Sequence, residues 1–385
     1  DPSALWYNPA GLALMEKVKI NISGSTYNYI ERTKKNVVNI QTRDGSEKGL
    51  DMQEKDFSVV PTALAYAVNT KKTLGVKSTV GVGLFVPVSS SMQSSVDGTL
   101  EGRETKNDIY MMINDSKRLY VLSAGIGINL FKYLNIGGAI GFGYFSTVKS
   151  EENRQYFENR TNNTEMFRST YVNENSTAVT LTGNLGAQLV IGSHRLGVFY
   201  RMPHVGLYND SQLEVFKDNF STDQGYTEHS RDIKETNPYK NVPSHLSVGY
   251  ALELTNKLAL SADISRYLKR EDNSKTVTNY HLGIEAYVST GLLLRGGFFT
   301  DFAQTDELTT ESREPDRSNY YGGTAALSFK KTFATKQFWT TLGTVYRYGI
   351  GKYRATTFGP SGPSSDLKNW KTHIFNFYFS ETISL

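Results

Sequence analysis

Between Leu122 and Leu130 apolar side chains fall on every second position, with Leu122, Ala124, Ile126, Ile128 and Leu130 alternating with Ser123, Gly125, Gly127 and Asn129. A period of two is that of a β-strand, whose successive side chains point to opposite faces. The next stretch repeats it: Leu134, Ile136, Ile140, Phe142 and Tyr144 oppose Asn135, Gly137, Ala139, Gly141 and Gly143, after a tight turn at Phe131, Lys132 and Tyr133. Val179, Leu181, Leu185 and Leu189 against Thr180, Thr182, Asn184 and Gln188 follow the same rule, as do Leu258, Leu260, Ala262 and Ile264, and the terminal Phe375, Phe377 and Phe379.

Counted along the chain, such segments predict fourteen strands, near 17–30, 56–69, 73–88, 117–131, 133–149, 176–192, 194–214, 244–255, 257–271, 276–289, 290–303, 317–331, 336–351 and 371–385. Their connections alternate in length. Those at 70–72, 132, 193, 256, 289–290 and 332–335 are short, whereas 31–55, 89–116, 150–175, 215–243, 304–316 and 352–370 read as long polar loops. An even strand number, short turns at one end and long loops at the other are the marks of a bacterial transmembrane β-barrel, with the turns and both termini expected in the periplasm. A soluble sandwich would fill its inner face with bulky residues. Here that face is Gly, Ser, Thr and Asn, which suits a polar lumen.

Composition changes this picture little. The 385 residues carry 33 Gly, 24 Tyr and 20 Phe, and only 38% are hydrophobic. No window approaches 18 apolar residues, so a helical span is excluded, while a barrel hides its lipid face from any such average. The absence of Cys fits passage through an oxidising periplasm. A net charge of +4 with interleaved signs gives no reason to expect a nucleic-acid partner. The chain opens at Asp1 on a polar segment without a leader, so if the protein is exported, the chain is expected to be processed or truncated. Neither a Gly-x-Ser-x-Gly elbow, nor a phosphate loop, nor His-Glu-x-x-His occurs, and six His without Cys offer no spaced metal cluster. A non-enzymatic protein without cofactor or metal is expected.

The opening Asp1-Pro2-Ser3-Ala4-Leu5-Trp6-Tyr7-Asn8-Pro9-Ala10-Gly11 resembles the Asn-Pro-Ala segment that enters the first strand in the FadL/TodX family of outer-membrane hydrophobic-compound transporters. The predicted topology agrees over essentially the whole chain, including Val59-Val60-Pro61-Thr62 at the second strand. The resemblance implies an all-β, fourteen-stranded antiparallel barrel over 17–385, with 1–16 the end of a luminal hatch centred on Asn8, Pro9 and Ala10 and the earlier part of the hatch lying before Asp1. It implies passive uptake of long-chain fatty acids or other hydrophobic small molecules, with lateral release into the membrane. Outer-membrane lipid, lipopolysaccharide and other outer-membrane proteins are the further partners, and a docking subunit of a larger assembly is the alternative role. The C-terminal Ile383-Ser384-Leu385 departs from the aromatic ending common in such barrels, a part that Phe379 would fill.

Candidate site residues follow. Pro87 in the third strand cannot donate to a ladder, so with Phe85 it marks either a lateral gate or the strand end. Tyr156, Phe157, Met166, Phe167, Phe216 and Phe220 would form a greasy capture site on outer loops, or pack those loops together. Parity places Arg201, His245, Asp263, His281, Glu285, Arg295 and Arg347 toward the lumen, either as carboxylate anchors or as a network of paired charges.

Overall fold

The structure, a computed structural model, describes residues 1–41, 47–70, 76–101, 104–237, 242–269, 274–309, 316–359 and 362–385. Sixteen strand segments follow in chain order: β1 (Lys19–Gln41), β2 (Glu47–Thr70), β3 (Ser78–Glu101), β4 (Thr105–Phe131), β5 (Leu134–Asn159), β6 (Thr164–Ile191), β7 (His194–Arg201), β8 (Val205–Ser221), β9 (Gly225–Glu235), β10 (His245–Thr255), β11 (Leu258–Tyr267), β12 (Val277–Ser289), β13 (Leu292–Asp301), β14 (Asp316–Phe333), β15 (Lys336–Gly359) and β16 (Gly362–Ser384). Fourteen of them close into an antiparallel ring in which β7 pairs with β10 and β16 returns to β1, from Lys19↔Ser384 to Glu31↔His373. No helix among the described residues is long and apolar enough to cross a membrane.

β8 and β9 stand outside the ring count. The expected single strand 194–214 breaks at Met202-Pro203-His204, where proline lacks the N–H that a ladder needs. β7 pairs with β6 from Asn184 to Ile191, and β8 resumes along the same strand from Leu181 up to Met166. β9 then pairs with β8, so much of the expected loop 215–243 is a hairpin.

The alternating pattern sorts outside from inside as expected. Ile140, 60% exposed, and Leu185, Leu260 and Phe377 face outward, while Gly127, Gly141 and Asn184 are buried on the luminal side and Asp263 is half-buried there. Ile126 is also half-buried. At the turn end, two-residue connections such as Lys132-Tyr133, Gly192-Ser193 and Ala334-Thr335 join the strands. Gly192 and Ala334 take positive φ there, as tight hairpin turns demand. Phe131, Tyr133, Tyr287, Phe329 and Phe333 are exposed near these turns, an arrangement typical of an interfacial aromatic girdle. The expected turn at 70–72 falls largely outside the described residues.

At the other end the structure corrects the loop boundaries. Most of 31–55, 89–116, 150–175 and 352–370 is paired strand; β3 and β4, for instance, stay in register from Val88↔Leu119 to Glu101↔Lys106. Backbone pairing needs no apolar face, so polar stretches such as Ser89–Ser95 extend the ladder without an alternation signal. The luminal sides of β15, β16, β1, β2, β3 and β4 meet there over a core that includes Val38, Met52, Val96, Ile109, Ile113, Tyr353 and Trp370. Above the end of its pairing with β16, β1 joins the far edge of β15 in parallel, Val38–Ile40 against Thr356–Phe358. Arg32 bonds Glu54 at 2.8 Å within this seal, and Lys34 lies over the Trp370 ring at 4.9 Å.

Because Ile140 sits mid-strand on the outer face, an Ile140→Arg change should cost about 2–4 kcal/mol if the band is buried in hydrocarbon. Urea titration in lipid vesicles measures it, and a change under about 0.5 kcal/mol would remove Ile140 from the lipid band.

Candidate functional site

The first fourteen residues lie inside the ring. A single helical turn, Ala4–Tyr7, leads into a 3-10 turn, Pro9–Leu14, and both pack on β3, β4 and β5, with the 3-10 turn also reaching β6. Asn8 begins the second turn: its Oδ1 accepts from the Ala10 N–H at 3.1 Å while its Nδ2 donates to the Val198 carbonyl at 3.2 Å. Pro9 occupies the first position of the turn, where a missing N–H costs nothing. Ala10 is fully buried.

The wall is carved to receive this segment. A Cβ on Gly137 would stand 2.3 Å from the Pro9 carbonyl carbon, one on Gly127 2.7 Å from Leu12, and one on Gly186 2.0 Å from Asn8. Gly127 and Gly137 are required for close approach of two backbones, and Gly186 to clear the Asn8 side chain, none of them for a special φ. Asn69 adds a bond to the Met15 carbonyl at 2.8 Å, and Asn184 one to Leu5 at 3.1 Å.

Beside the helical turn lies a cavity of about 1310 Å³. Trp6, Tyr7, Phe85, Arg201, His245 and Arg347 contribute to its lining, and it reaches Val86, Pro87 and Val88 in the wall. Arg201 lies 3.6 Å over the Trp6 ring, donates from Nη2 to the Trp6 carbonyl at 2.7 Å and from Nε to Asn184 Oδ1 at 3.2 Å. Trp6 in turn stacks on Phe85 with centroids 5.6 Å apart. Beside them Phe199, its ring 5.3 Å from the same guanidinium, forms an aromatic row with His245 and Tyr267, His245 stacked 4.4 Å from Tyr267. Tyr7 opens much of its surface to this space, yet enclosure within the barrel raises its hydroxyl above the ordinary range, with Arg201 opposing the rise.

The wall is interrupted where the cavity meets it. β2 and β3 pair from Thr70↔Ser78 to Ala63↔Phe85 and again from Lys55↔Gln93. Among the described residues, no pair joins 56–62 to 86–92, and the β3–β4 ladder carries a bulge between Phe85 and Val88. Pro87, exposed, sits in that bulge.

The luminal polar residues divide. Arg295 bonds Glu285 at 2.8 Å and Ser328 at 2.7 Å, a structural pair close to the turns. His281 stands in register with Asp263 on the neighbouring strand and is not part of the cavity lining. Arg201 and Arg347 make no salt bridge among the described residues, Arg347 lying 5.9 Å from the Phe299 ring.

The expected capture aromatics are on paired strands, with Tyr156↔Phe167↔Phe220 in one row and Phe157↔Met166 beside it. Phe216 packs 6.3 Å from Tyr171 and beneath Arg231. None of the six lines the cavity. Sequence reasoning placed His245 in the lumen but missed Trp6 and the two aromatics, Phe199 and Tyr267, that His245 packs on. A bulky aromatic two residues before Asn-Pro-Ala, and aromatics sharing the parity of Arg201, were the available signals.

The geometry defines the class: a FadL-type fourteen-stranded barrel with its N-terminal segment seated in the lumen. The full chain superimposes on a Pseudomonas aeruginosa FadL homologue with a TM-score of 0.61 at 13% identity, covering 94% of that chain. It is similar also to the P. putida toluene transporter TodX (TM-score 0.59, 15% identity) and the Ralstonia pickettii toluene transporter TbuX (0.54, 13%), covering 100% of this chain and 94% of each of those. No protein-family model and no curated protein sequence matches the chain. The likeness is one of fold.

A Gly137→Val change should unseat the 3-10 turn while leaving the barrel closed, and so raise small-solute leak in a liposome-swelling assay. An unchanged leak from a folded variant would mean that residues 8–13 do not obstruct the lumen.

Proposed function

We propose that this protein is a bacterial outer-membrane channel for passive uptake of hydrophobic small molecules, long-chain fatty acids being the first class to test, with lateral release into the membrane between β2 and β3. In this reading the turns and both termini face the periplasm, and residues 1–16 act as the end of a hatch. The observation that carries it is the coincidence of the cavity with the interrupted ladder at 56–62 and 86–92.

The physics favours a sideways route. An acyl chain released into a watery lumen would expose apolar surface again, at about 0.8 kcal/mol per CH₂, whereas lipid keeps it covered. The interruption also has a cost: each backbone group left dry and unpaired loses about 1–3 kcal/mol. A stretch of seven residues on each strand, 56–62 and 86–92, is therefore tolerable only when water, polar side chains or cargo occupy it.

Restoring the ladder should close the route. The double change Pro87→Val and Ser89→Val is expected to abolish uptake of a labelled acyl chain into cells while the barrel keeps its heat-modifiable mobility on gels. Uptake equal to wild type would move the exit away from this strand.

A further inference from the structure

We propose that the free edge of β9 pairs with the same edge of a second copy of this chain, antiparallel and centred on Ile233, and that this contact joins barrels standing in two facing membranes. The inference goes beyond the transport reading and concerns a surface that does not line the cavity.

The hairpin leaves one side open. β9 pairs with β8 from Ser221↔Gly225 to Gln212↔Glu235, and among the described residues its other edge pairs with no strand. The ring strand that follows starts lower: β10 meets β7 at His245↔Arg201, level with Asn184 of β6, whereas Gln212 of β8 is level with Asn175, further up the same strand. The Thr236 N–H donates to the Ser211 carbonyl at 3.2 Å, so Thr236 turns its backbone groups to β8. Because that direction alternates along a strand, Arg231, Ile233 and Glu235 turn their N–H and C=O groups to the open side. Such a row is a template for another strand.

Charge selects the strand that fits. Arg231, Asp232, Ile233, Lys234 and Glu235 are all exposed. Glu228 and Arg231 find ionic partners on β8, but Asp232, Lys234 and Glu235 make no salt bridge among the described residues, because β8 sets Val215, Leu213 and Gln212 opposite them. A second copy running the other way supplies what β8 lacks: Arg231 meets Glu235, Asp232 meets Lys234, and Ile233, 54% exposed, meets itself. Opposite charges across a strand pair stabilise it and like charges destabilise it.

Charge on an edge ordinarily discourages pairing. Here its order spares one register. A two-fold centred on 231, 232, 234 or 235 sets Arg, Asp, Lys or Glu against its own copy, and one centred on Ser230 sets Glu228 against Asp232 and His229 against Arg231. Ile233 is the centre, from 230 to 235, that leaves every charge matched.

The two-fold that pairs an edge with itself in antiparallel sense is normal to the sheet. β8 and β9 extend the wall from β6, so this axis lies across the barrel and turns the partner end over end. The two barrels then stand in opposed membranes. One short edge is a small and weak contact, but many copies on each membrane act together.

The test reconstitutes the full chain in phosphatidylcholine vesicles and follows their clustering by light scattering. Wild-type vesicles should cluster and protein-free vesicles should stay dispersed. Asp232→Lys sets Lys against Lys234 and should slow clustering about tenfold, and the double change Asp232→Lys with Lys234→Asp should bring it back. Ile233→Pro removes an edge N–H that β8 does not use, so the hairpin should keep its ladder while clustering is lost. Ile233→Lys, which sets Lys against itself, takes its place if the proline variant folds poorly. The chain has no Cys, so Ile233→Cys carries a single thiol, and a short bis-maleimide should link differently tagged copies held in separate vesicles. Dispersed wild-type vesicles, clustering that survives both Asp232→Lys and the change at Ile233, or links confined to copies sharing a vesicle would each overturn the proposal and leave the transport reading untouched.

Discussion

Everything in this fold depends on one requirement: a backbone N–H or C=O that faces hydrocarbon must find its partner within the protein. The ring meets it by closing β16 onto β1, so that there is no free edge at membrane depth. The same requirement gives meaning to the exceptions. A break in a soluble sheet is filled by water at little cost, but a break in a closed barrel wall is a standing debit that the surrounding structure must tolerate. The Met202-Pro203-His204 break between β7 and β8 is compensated locally: the Met202 N–H reaches the Gly183 carbonyl at 2.8 Å and His204 meets the Thr180 hydroxyl at 2.9 Å. The interruption between β2 and β3 has no such repair among the described pairs, and it lies against the cavity.

The seating of the N-terminal segment shows how the barrel is built from inside as well as outside. Gly127, Gly137 and Gly186 read in the sequence simply as the small face of alternating strands. In the structure they are where the N-terminal segment, by its backbone at Gly127 and Gly137 and by the Asn8 side chain at Gly186, comes close enough to exclude any Cβ. The small luminal face therefore has two causes, a polar interior and a fitted insert, and the sequence alone shows only the first.

How much was legible follows from which forces leave a trace in sequence. Lipid demands apolar residues at period two, so Ile140, Leu185 and Phe377 announced their side of the wall, and the strand number came with them. Above the lipid both faces of a strand can be polar, so the long extensions of β3 to β6 and the β8–β9 hairpin left no alternation to find. Luminal parity marked Arg201 and Arg295 alike; only the fold shows that Glu285 stands beside one and Trp6 beside the other. The six capture aromatics were chosen because they were greasy and in presumed loops. Pairing places Tyr156, Phe167 and Phe220 in a cross-strand row on extended sheet, away from the cavity lining.

In the proposed reading, the cost of disturbing each of two closures bears on which way this cavity opens. Toward the long hairpins, the luminal sides of six strands share a core that includes Val38, Met52, Val96, Ile109, Tyr353 and Trp370, reinforced by the parallel β1–β15 bridge. Exposing even four such side chains costs on the order of 6–12 kcal/mol at about 1.5–3 kcal/mol each. Toward β2 and β3 stands a second buried cluster, in which Trp6 stacks on Phe85 beside Leu5, Ala65, Leu119 and Val121. An aromatic pair contributes about 0.5–1.5 kcal/mol beyond the area it buries, and rotating it need not expose either ring to water when cargo replaces the contact. A conformational change of a few kcal/mol is common in working proteins, whereas one near 10 kcal/mol approaches the whole stability of a typical domain. In the proposed reading the side route has one advantage over the seal above: the β2–β3 ladder is already unpaired between 56–62 and 86–92, so cargo has only side-chain contacts to replace there, those of Trp6 and Phe85 among them.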